Sequence, residues 1–486
     1  MEEKIQQARR EFNAILDFVV DKALGQEIHE VERSLYRMLL QLGRILLEIF
    51  VLSVGTGKRG QVLAGREGVR YRYAGVRKRR YLSIFGELSI VRAYYAGSGG
   101  YGLFPLDFQL NLPQRKYSYI LQDWMSCEAV TKSFESVSGW AKDRLGLDVA
   151  HRPVQRVVRD CVEGVERFMD GLKAPPSGEE GSIMVHSVDC KGIPMRSEDR
   201  SADAKKTKDK PGVKRMACLA RAYTIDPYDR SAESIVESFV KRGDSRQDKR
   251  SRRPEPCHRR TTGSLKSAKA DVFDRSELRV KSRIGDFTED RVVLMDGERA
   301  LWILSEERFP DWTEILDFCH VMEKLWIAAD LHFRKRVDRE DYVRERALML
   351  LQGEVDEVIE DFRIALRDGS LSSAKTHDLK SKVLGYFENN RHRMAYDEYL
   401  ARGLPIATGV IESSCKTLIN RRMEGSGMLW SMDGAEAMLK LRAVFLDELW
   451  DDFWSFRSQS EKDRLYAVHA RVLRKDGAEP TMQIAA

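Results

Sequence analysis

SIMVHSVDC (Ser182–Cys190) and RVVLMDG (Arg291–Gly297) decide how this chain is read. Both are short apolar runs rich in β-branched residues, and each carries an aspartate at its end. In the first, a period of two places Ile183, Val185, Ser187 and Asp189 on one strand face. A carboxylate that closes an apolar strand must be paired, hydrated or bound to a metal ion, because an isolated buried charge is costly. Strand ends are also where an open α/β sheet exposes its functional groups. Asp189 and Asp296 on adjacent strands can therefore bridge divalent cations. A third carboxylate from a helix would complete the set. Glu412 is the candidate, because Ile411, Cys415, Leu418 and Arg422 place it beside the buried stripe of TGVIESSCKTLINRRM (Thr408–Met423). Two metals about 3.5–4 Å apart can activate a nucleophilic oxygen and stabilise the leaving one in phosphoryl transfer. Hard oxygen ligands call for Mg²⁺, with Mn²⁺ as a substitute. The plain alternative is that 76 acidic residues put some carboxylates at strand ends with no such role.

Working outward, VKRMACLARAYTID makes a second strand and TEIL (Thr313–Leu316) a candidate fifth. Residues 318–400 are charged and helical in pattern. The expected arrangement is an α/β core in two parts, 181–317 and 401–455, divided by a helical insertion at 318–400 and followed by a tail at 456–486. APPSGEEG (Ala174–Gly181) is a linker. Residues 241–260 carry nine Lys or Arg against three acidic residues and, with Pro254 and Pro256, read as a loop.

The N-terminal region, 1–115, starts with two helices broken near Gly25, whose recurring Ile5, Phe12, Ile15, Val19, Leu35, Met38, Leu39, Leu42 and Ile45 read as packing positions. Between Thr56 and Arg92 ten basic residues face only Glu67 and Glu87, interleaved with tyrosines, and YLSIFGELSIVRAYY turns back on itself near Gly86. Basic side chains with aromatic rings suit a nucleic-acid backbone, and Arg77, Lys78, Arg79 and Arg80 are the densest group. A solvated, twisted hairpin is the other reading. Residues 116–173 are helical, and LGLDVAHRPVQRVVRDCV resembles a helix-turn-helix with Arg152 and Arg156 where base edges would be reached.

Composition bounds these readings. With 486 residues, 42% apolar and 33% charged against a typical share of about 25%, the chain is globular and surface-rich rather than disordered. Its 82 basic and 76 acidic residues leave a net charge of +6. The longest apolar stretch, Met38–Val54, is interrupted by Arg44 and Glu48, and no leader pattern opens the chain, so neither a membrane span nor export is expected. Seven scattered cysteines without a CxxC pair read as reduced thiols of a cytoplasmic protein, with no structural zinc.

The strings SVDCKGIPMR, VLMDGERALW, ILDFCHVMEKLW, YFENNRHRMAYDEYLARGLPIATGVIESSCK and RRMEGSGMLWSMDGAEAMLKLR resemble, in order and spacing, the catalytic region of ISKra-type insertion-sequence transposases, bacterial members of the DDE class related to the Mutator-like group. The resemblance runs from about Ser182 to Phe453 and more loosely through the N-terminal part. It implies an RNase H-like core with Asp189 on the first strand, Asp296 on the fourth and Glu412 on a helix after the insertion, all three as catalytic metal ligands. It also implies binding to double-stranded DNA, at transposon ends and target, by a homodimer or larger assembly in the nucleoid. DFCH matches a signature of the Mutator-like group through Asp317 and His320, which three residues apart on a helix can hydrogen-bond. That pair either orients DNA or the metal site, or caps and braces its helix. Arg391, Arg393, Lys416, Arg421 and Arg422 either clamp phosphates or line an exposed helix face. The chain departs from the family pattern at AGSGGYG (Ala96–Gly102), where many members carry a CxxC knuckle, and at Cys190, where glycine is usual. Two other functions fit the same residues: a catalytically silent DNA-binding protein derived from a transposase, and an RNase H-like nuclease without strand transfer.

Overall fold

The computed structural model describes residues 1–65, 69–97, 102–199, 214–240, 254–369, 371–407, 416–425 and 427–473. The chain forms two units, Met1–Phe168 with Trp450–Ala486, and Met169–Leu449.

The first unit opens with a helical hairpin, α1 (Glu2–Asp17) and α2 (Ile28–Val54), which turns at Gly25 with a positive φ of 87°. Lys4 on α1 pairs with Glu48 on α2 at 2.7 Å. Of the apolar positions expected to pack, Ile15 and Ile45 are buried, whereas Phe12, Val19 and Leu39 stand exposed. A four-stranded antiparallel sheet follows in chain order: β1 (Val62–Ala64), β2 (Arg70–Ser83), β3 (Gly86–Gly97) and β4 (Gly102–Leu103). The expected hairpin is β2–β3, and its register shifts between Tyr73 and Val76, where Gly75 has φ 92°. On β3, Leu88 and Ile90 are buried on one face and Ala93 and Tyr95 on the other, while the basic residues of β2 stay mostly outside. After α3 (Pro105–Gln109) come α4 (Tyr119–Ala129), α5 (Phe134–Leu145) and α6 (His151–Cys161). Ser133 caps α5 at one end, and Gly146 closes it in the left-handed conformation. The short α7 (Val165–Asp170) crosses the boundary between the units.

The stretch expected as a tail from residue 456 begins inside a helix, Trp450–Leu473, that belongs to this unit. Its Phe453, Trp454 and Arg457 are buried, Phe168 lies 5.5 Å from both Phe453 and Phe456, and Ser458 O accepts from Asn111 at 3.0 Å. Apolar burial therefore binds it to residues almost three hundred positions away.

The second unit is mixed α/β. Its five strands are β5 (Ile183–Pro194), β6 (Lys214–Ile225), β7 (Cys257–Ser264), β8 (Asp290–Met295) and β9 (Thr313–Leu316), in the spatial order β7-β6-β5-β8-β9. β5 runs antiparallel to β6, and β6 antiparallel to β7. β8 is parallel to β5, and β9 parallel to β8. Helices α8 (Ala232–Val240), α9 (Lys269–Lys281), α10 (Arg299–Arg308), α11 (Phe318–His332), α12 (Arg336–Leu351) and α13 (Val355–Arg367) follow the strands. Val185, Val292, Leu294, Phe273, Ile315 and Phe318 are fully buried in its core.

β7 corrects the reading of 241–260 as a loop throughout: its last four residues start a strand, while 241–253 lie outside the described residues. The basic run hid it, because the partners that hold it are remote in sequence: Arg259 pairs with Glu448. Asp447 accepts from Thr261 N at 2.5 Å, from Thr261 Oγ1 at 2.8 Å and from Arg221 Nη2 on β6 at 2.9 Å. Cys190 stands in register with Cys218 across β5 and β6, and both are free thiols.

Candidate functional site

The parallel pair β5 and β8 aligns Ile183 with Asp290 and continues in step to His186 with Val293. One turn of the pleat further, Ser187 Oγ donates to Leu294 O at 2.5 Å. Continued past its last pair, the same offset sets Asp189 level with Asp296, which follows β8; β5 itself runs on to Pro194, so Asp189, expected at a strand end, lies within its strand beside β6. Asp296 is held by its own loop: Oδ1 accepts from Glu298 N at 3.0 Å and its carbonyl from Trp302 Nε1 at 2.6 Å. Gly297 makes that loop possible, since a β-carbon there would stand 2.3 Å from the Tyr386 ring.

The neighbouring strand supplies the next residues. Asp317 ends β9, donates its N–H to Met295 O at 2.8 Å, and is fully buried. Its carboxylate caps α11 by accepting from Cys319 N at 3.3 Å and His320 N at 3.4 Å. It also accepts from His320 Nδ1 at 2.5 Å. That bond raises the His320 pKa to about 9, with Asp296 adding to the effect, so an imidazolium faces the carboxylates at neutral pH. Burial pushes Asp296 up, and the charge of Asp189 adds to this, against the Glu298 N–H and the His320 cation. A buried carboxylate crowded by a second one level with it is a hard-oxygen donor set that a divalent cation would relieve. Among the described residues no group of three or more His, Cys, Asp or Glu side chains is arranged to hold a metal ion. Glu412, the expected third ligand, lies outside the described residues.

Beside Gly297 opens a cavity of about 700 Å³ whose lining includes Arg299, Lys324, Tyr386, Asn389 and His392. Arg393 also borders it but is turned inward: it pairs with Glu314 at 2.6 Å and Glu306 at 2.7 Å, over the Trp302 ring at 4.1 Å. Arg391 is exposed and paired with Asp356. Arg422 is buried, its pKa lowered to about 10 by desolvation, and it lies 5.1 Å from the Trp430 ring. Arg393 and Arg422 are thus packing residues rather than an exposed clamp. Arg421 is exposed, and the side chain of Lys416 lies outside the described residues.

In the first unit the four basic residues of β2 separate into two kinds. Arg77, Lys78 and Arg80 are exposed, Arg77 over the Tyr94 ring at 4.4 Å and Arg80 bound to Glu87 at 2.7 and 2.5 Å. Arg79 turns inward to Asp107 at 3.2 Å and to Arg115 O at 2.9 Å, which corrects its reading as a nucleic-acid contact. Asp107 also binds Arg92, and burial pushes Asp107 up and Arg92 down. The strap of residues 113–118 is thereby tied to the hairpin, with Leu82 N donating to Lys116 O at 2.6 Å and Ser118 N to Leu82 O at 2.9 Å. Arg115 in turn binds Asp160 on α6, Nη2 to Oδ1 at 3.1 Å. α6 buries Val154, Val157 and Val158 and exposes Arg152 and Arg156. An open groove of about 470 Å³ between the strap and α6 is lined by Arg115, Lys116, Tyr117 and Arg156. Arg115 and Lys116 were not among the expected contacts; only the pairing of the strap with β2 brings them there.

No family model matches the sequence, and no curated protein matches it. Among solved structures the chain is similar to the Drosophila P element transposase strand transfer complex, at 10% identity and a TM-score of 0.25, over 76% of this chain and 91% of that one. A likeness at that score carries no weight for fold or chemistry.

Proposed function

We propose that this chain is a DNA transposase of the DDE class, of the ISKra type, which binds the terminal inverted repeats of an insertion sequence and catalyses metal-dependent cleavage and strand transfer. The observation that supports the reading is the β5–β8 register, whose offset, carried three residues past its last pair, sets Asp189 of β5 level with Asp296 just beyond β8. The strand order, with its second strand antiparallel, supports an RNase H-like sheet. Asp189, Asp296 and Glu412 would hold Mg²⁺ or Mn²⁺, which when bound supplies Lewis acidity to the phosphodiester and to the attacking oxygen. Asp317 fixes the His320 ring so that its Nε2–H is available to a phosphate oxygen at the same strand ends. Arg77, Lys78, Lys116, Arg152 and Arg156 would hold the duplex by its phosphates. Strand transfer forms one P–O bond as it breaks another, so the 3′-OH released by the first cut needs no separate energy source.

The test is incubation of the purified protein with element-end duplex and Mg²⁺, scoring nicked and joined products. Glu412→Ala and Asp189→Ala should abolish both products and leave end binding intact. Binding with no nicking by the wild type would leave a silent DNA-binding protein. Nicking with no joined product would leave a nuclease.

A further inference from the structure

The helical hairpin at the start of the chain is far less covered than its composition requires. α2 has 27 residues, about 40 Å of helix, yet only Ile45 among its many apolar side chains is buried. Between Phe12 and Leu52 eleven large apolar side chains stand 43% to 81% exposed. They are not scattered: Tyr36, Leu39, Leu46 and Phe50 recur at the three- and four-residue spacing of a helix-packing stripe, with Phe12 and Leu16 on α1. Phe85, at the β2–β3 turn, lies over Gly43 in the middle of that stripe, where a β-carbon would stand 2.6 Å from the ring, while Val51 and Val54 at the other end of the helix pack beside Ile90. A helix apolar on this scale belongs in an interface.

We propose that the α1–α2 hairpin is a homodimerisation element, its occupant a second copy of the same hairpin packed into a four-helix arrangement. Area favours this. At about 150–250 Å² for each of the three aromatic side chains and less for the eight aliphatic ones, eleven that are roughly half exposed offer on the order of 800 Å², about what each partner of a stable interface buries. Charge favours it too. Residues 2–54 carry nine acidic and seven basic side chains, a near balance that permits self-association, whereas anionic lipid or nucleic acid would select a basic surplus. None of the described helices, α2 included, is long and apolar enough to cross a membrane. The inference is independent of the cutting chemistry.

Sedimentation velocity of the full chain at micromolar concentration tests it. The wild type should sediment as a dimer, and Leu39→Glu with Leu46→Glu should weaken association by about 100-fold or more, as removal of two central anchors does. Phe12→Glu with Leu16→Glu on the other helix should do the same. Because these side chains are exposed in one copy, far-UV circular dichroism and duplex binding by each copy should be unchanged. A monomeric wild type overturns the proposal, and so does a dimer that survives both pairs of substitutions. Cosedimentation of the wild type with phosphatidylglycerol vesicles, abolished in both variants, would assign the face to lipid and overturn it as well.

Discussion

The two sheets of this protein place their charge in opposite ways. In the five-stranded sheet, β5 is buried from Ile183 to Val188, and Asp189 appears where that buried run gives way, within the strand, while Asp296 follows the end of β8. In the four-stranded sheet the charge is spread along β2, with Arg77, Lys78 and Arg80 outside and Arg79 turned in. Strands covered on both faces admit an unpaired charge only where the cover ends, whereas an antiparallel hairpin with one wet face can carry it throughout. The first arrangement gathers groups into a site; the second makes a surface. Substitutions in the two should therefore fail differently.

The largest effect is expected at the strand ends. Asp296→Asn should lower cleavage on the order of 10³-fold or more, the scale at which groups that act as a unit fail. Its affinity for duplex should stay within twofold in an anisotropy titration. A loss of binding equal to the loss of cleavage would remove the division between site and surface. Next comes the buried charge beneath the hairpin. Asp107→Ala leaves Arg79 and Arg92 without their shared carboxylate, and should cost about 3 kcal/mol in urea unfolding, since a broken buried pair strands its partners. Lys78→Ala, four residues from β2's inward Leu82, should cost almost nothing by the same measurement.

Much of this division was legible in the sequence, and the rest was hidden for identifiable reasons. Period-two alternation located β5, short strand-like runs located β6, β8 and β9, and the hairpin announced itself at Gly86. β7 was concealed because its Arg259 is paired with Glu448, 189 positions away, and its Thr261 is held by Asp447, 186 positions away. The same distance effect misplaced Arg79 and Arg393, whose acidic partners lie 28 and 79 positions away. Asp189 and Asp296 stood out as carboxylates closing apolar runs, but their common level is a property of the β5–β8 register, which no local pattern encodes. The bond of Asp317 to His320 was readable because helical spacing alone brings the two together. On α2 the periodicity located an apolar stripe without saying whether the chain itself would cover it.

The comparison can be sharpened with pH, because each unit holds a desolvated histidine neutral, His186 fully buried and His469 half-buried. His186 on β5 sits at 2.8 Å from Ser276 Oγ, and burial lowers its pKa to about 3. In the first unit His469 Nε2 accepts from Phe104 N at 3.2 Å, and burial lowers its pKa to about 4. An unfolded histidine titrates near 6.5, so between the folded value and 6.5 the unfolded chain binds more protons and stability rises with pH. Acidification from pH 6.5 to about 4.5 should therefore cost on the order of 2–3 kcal/mol at His186. Below pH 4 the His469 contribution levels off while that of His186 continues to grow. Urea midpoints of His186→Gln and His469→Gln across this range should each show a flatter acid limb than the wild type. A wild-type stability independent of pH between 4 and 6.5 would contradict the burial of both rings.

The smallest expected effect tests whether the outer face of β2 meets phosphates at all. Removing one side chain that neutralises a phosphate should reduce the slope of log K against log salt concentration by about 1. Lys78→Ala should show that reduction with no change in unfolding midpoint, because its side chain projects into solvent. Arg80→Ala should show less, since Arg80 must first leave Glu87, whose carboxyl it holds below the usual range. Arg79→Ala should invert the pattern, lowering the unfolding midpoint by releasing Asp107 and the 113–118 strap while leaving the salt slope of the folded fraction unchanged. Four consecutive cations would then have been sorted by the Asp107 carboxylate and the 113–118 strap, which claim Arg79 alone, into those that meet a partner and one that holds the fold. An equal slope change for Lys78 and Arg79 would mean that the inward turn of Arg79 does not survive binding.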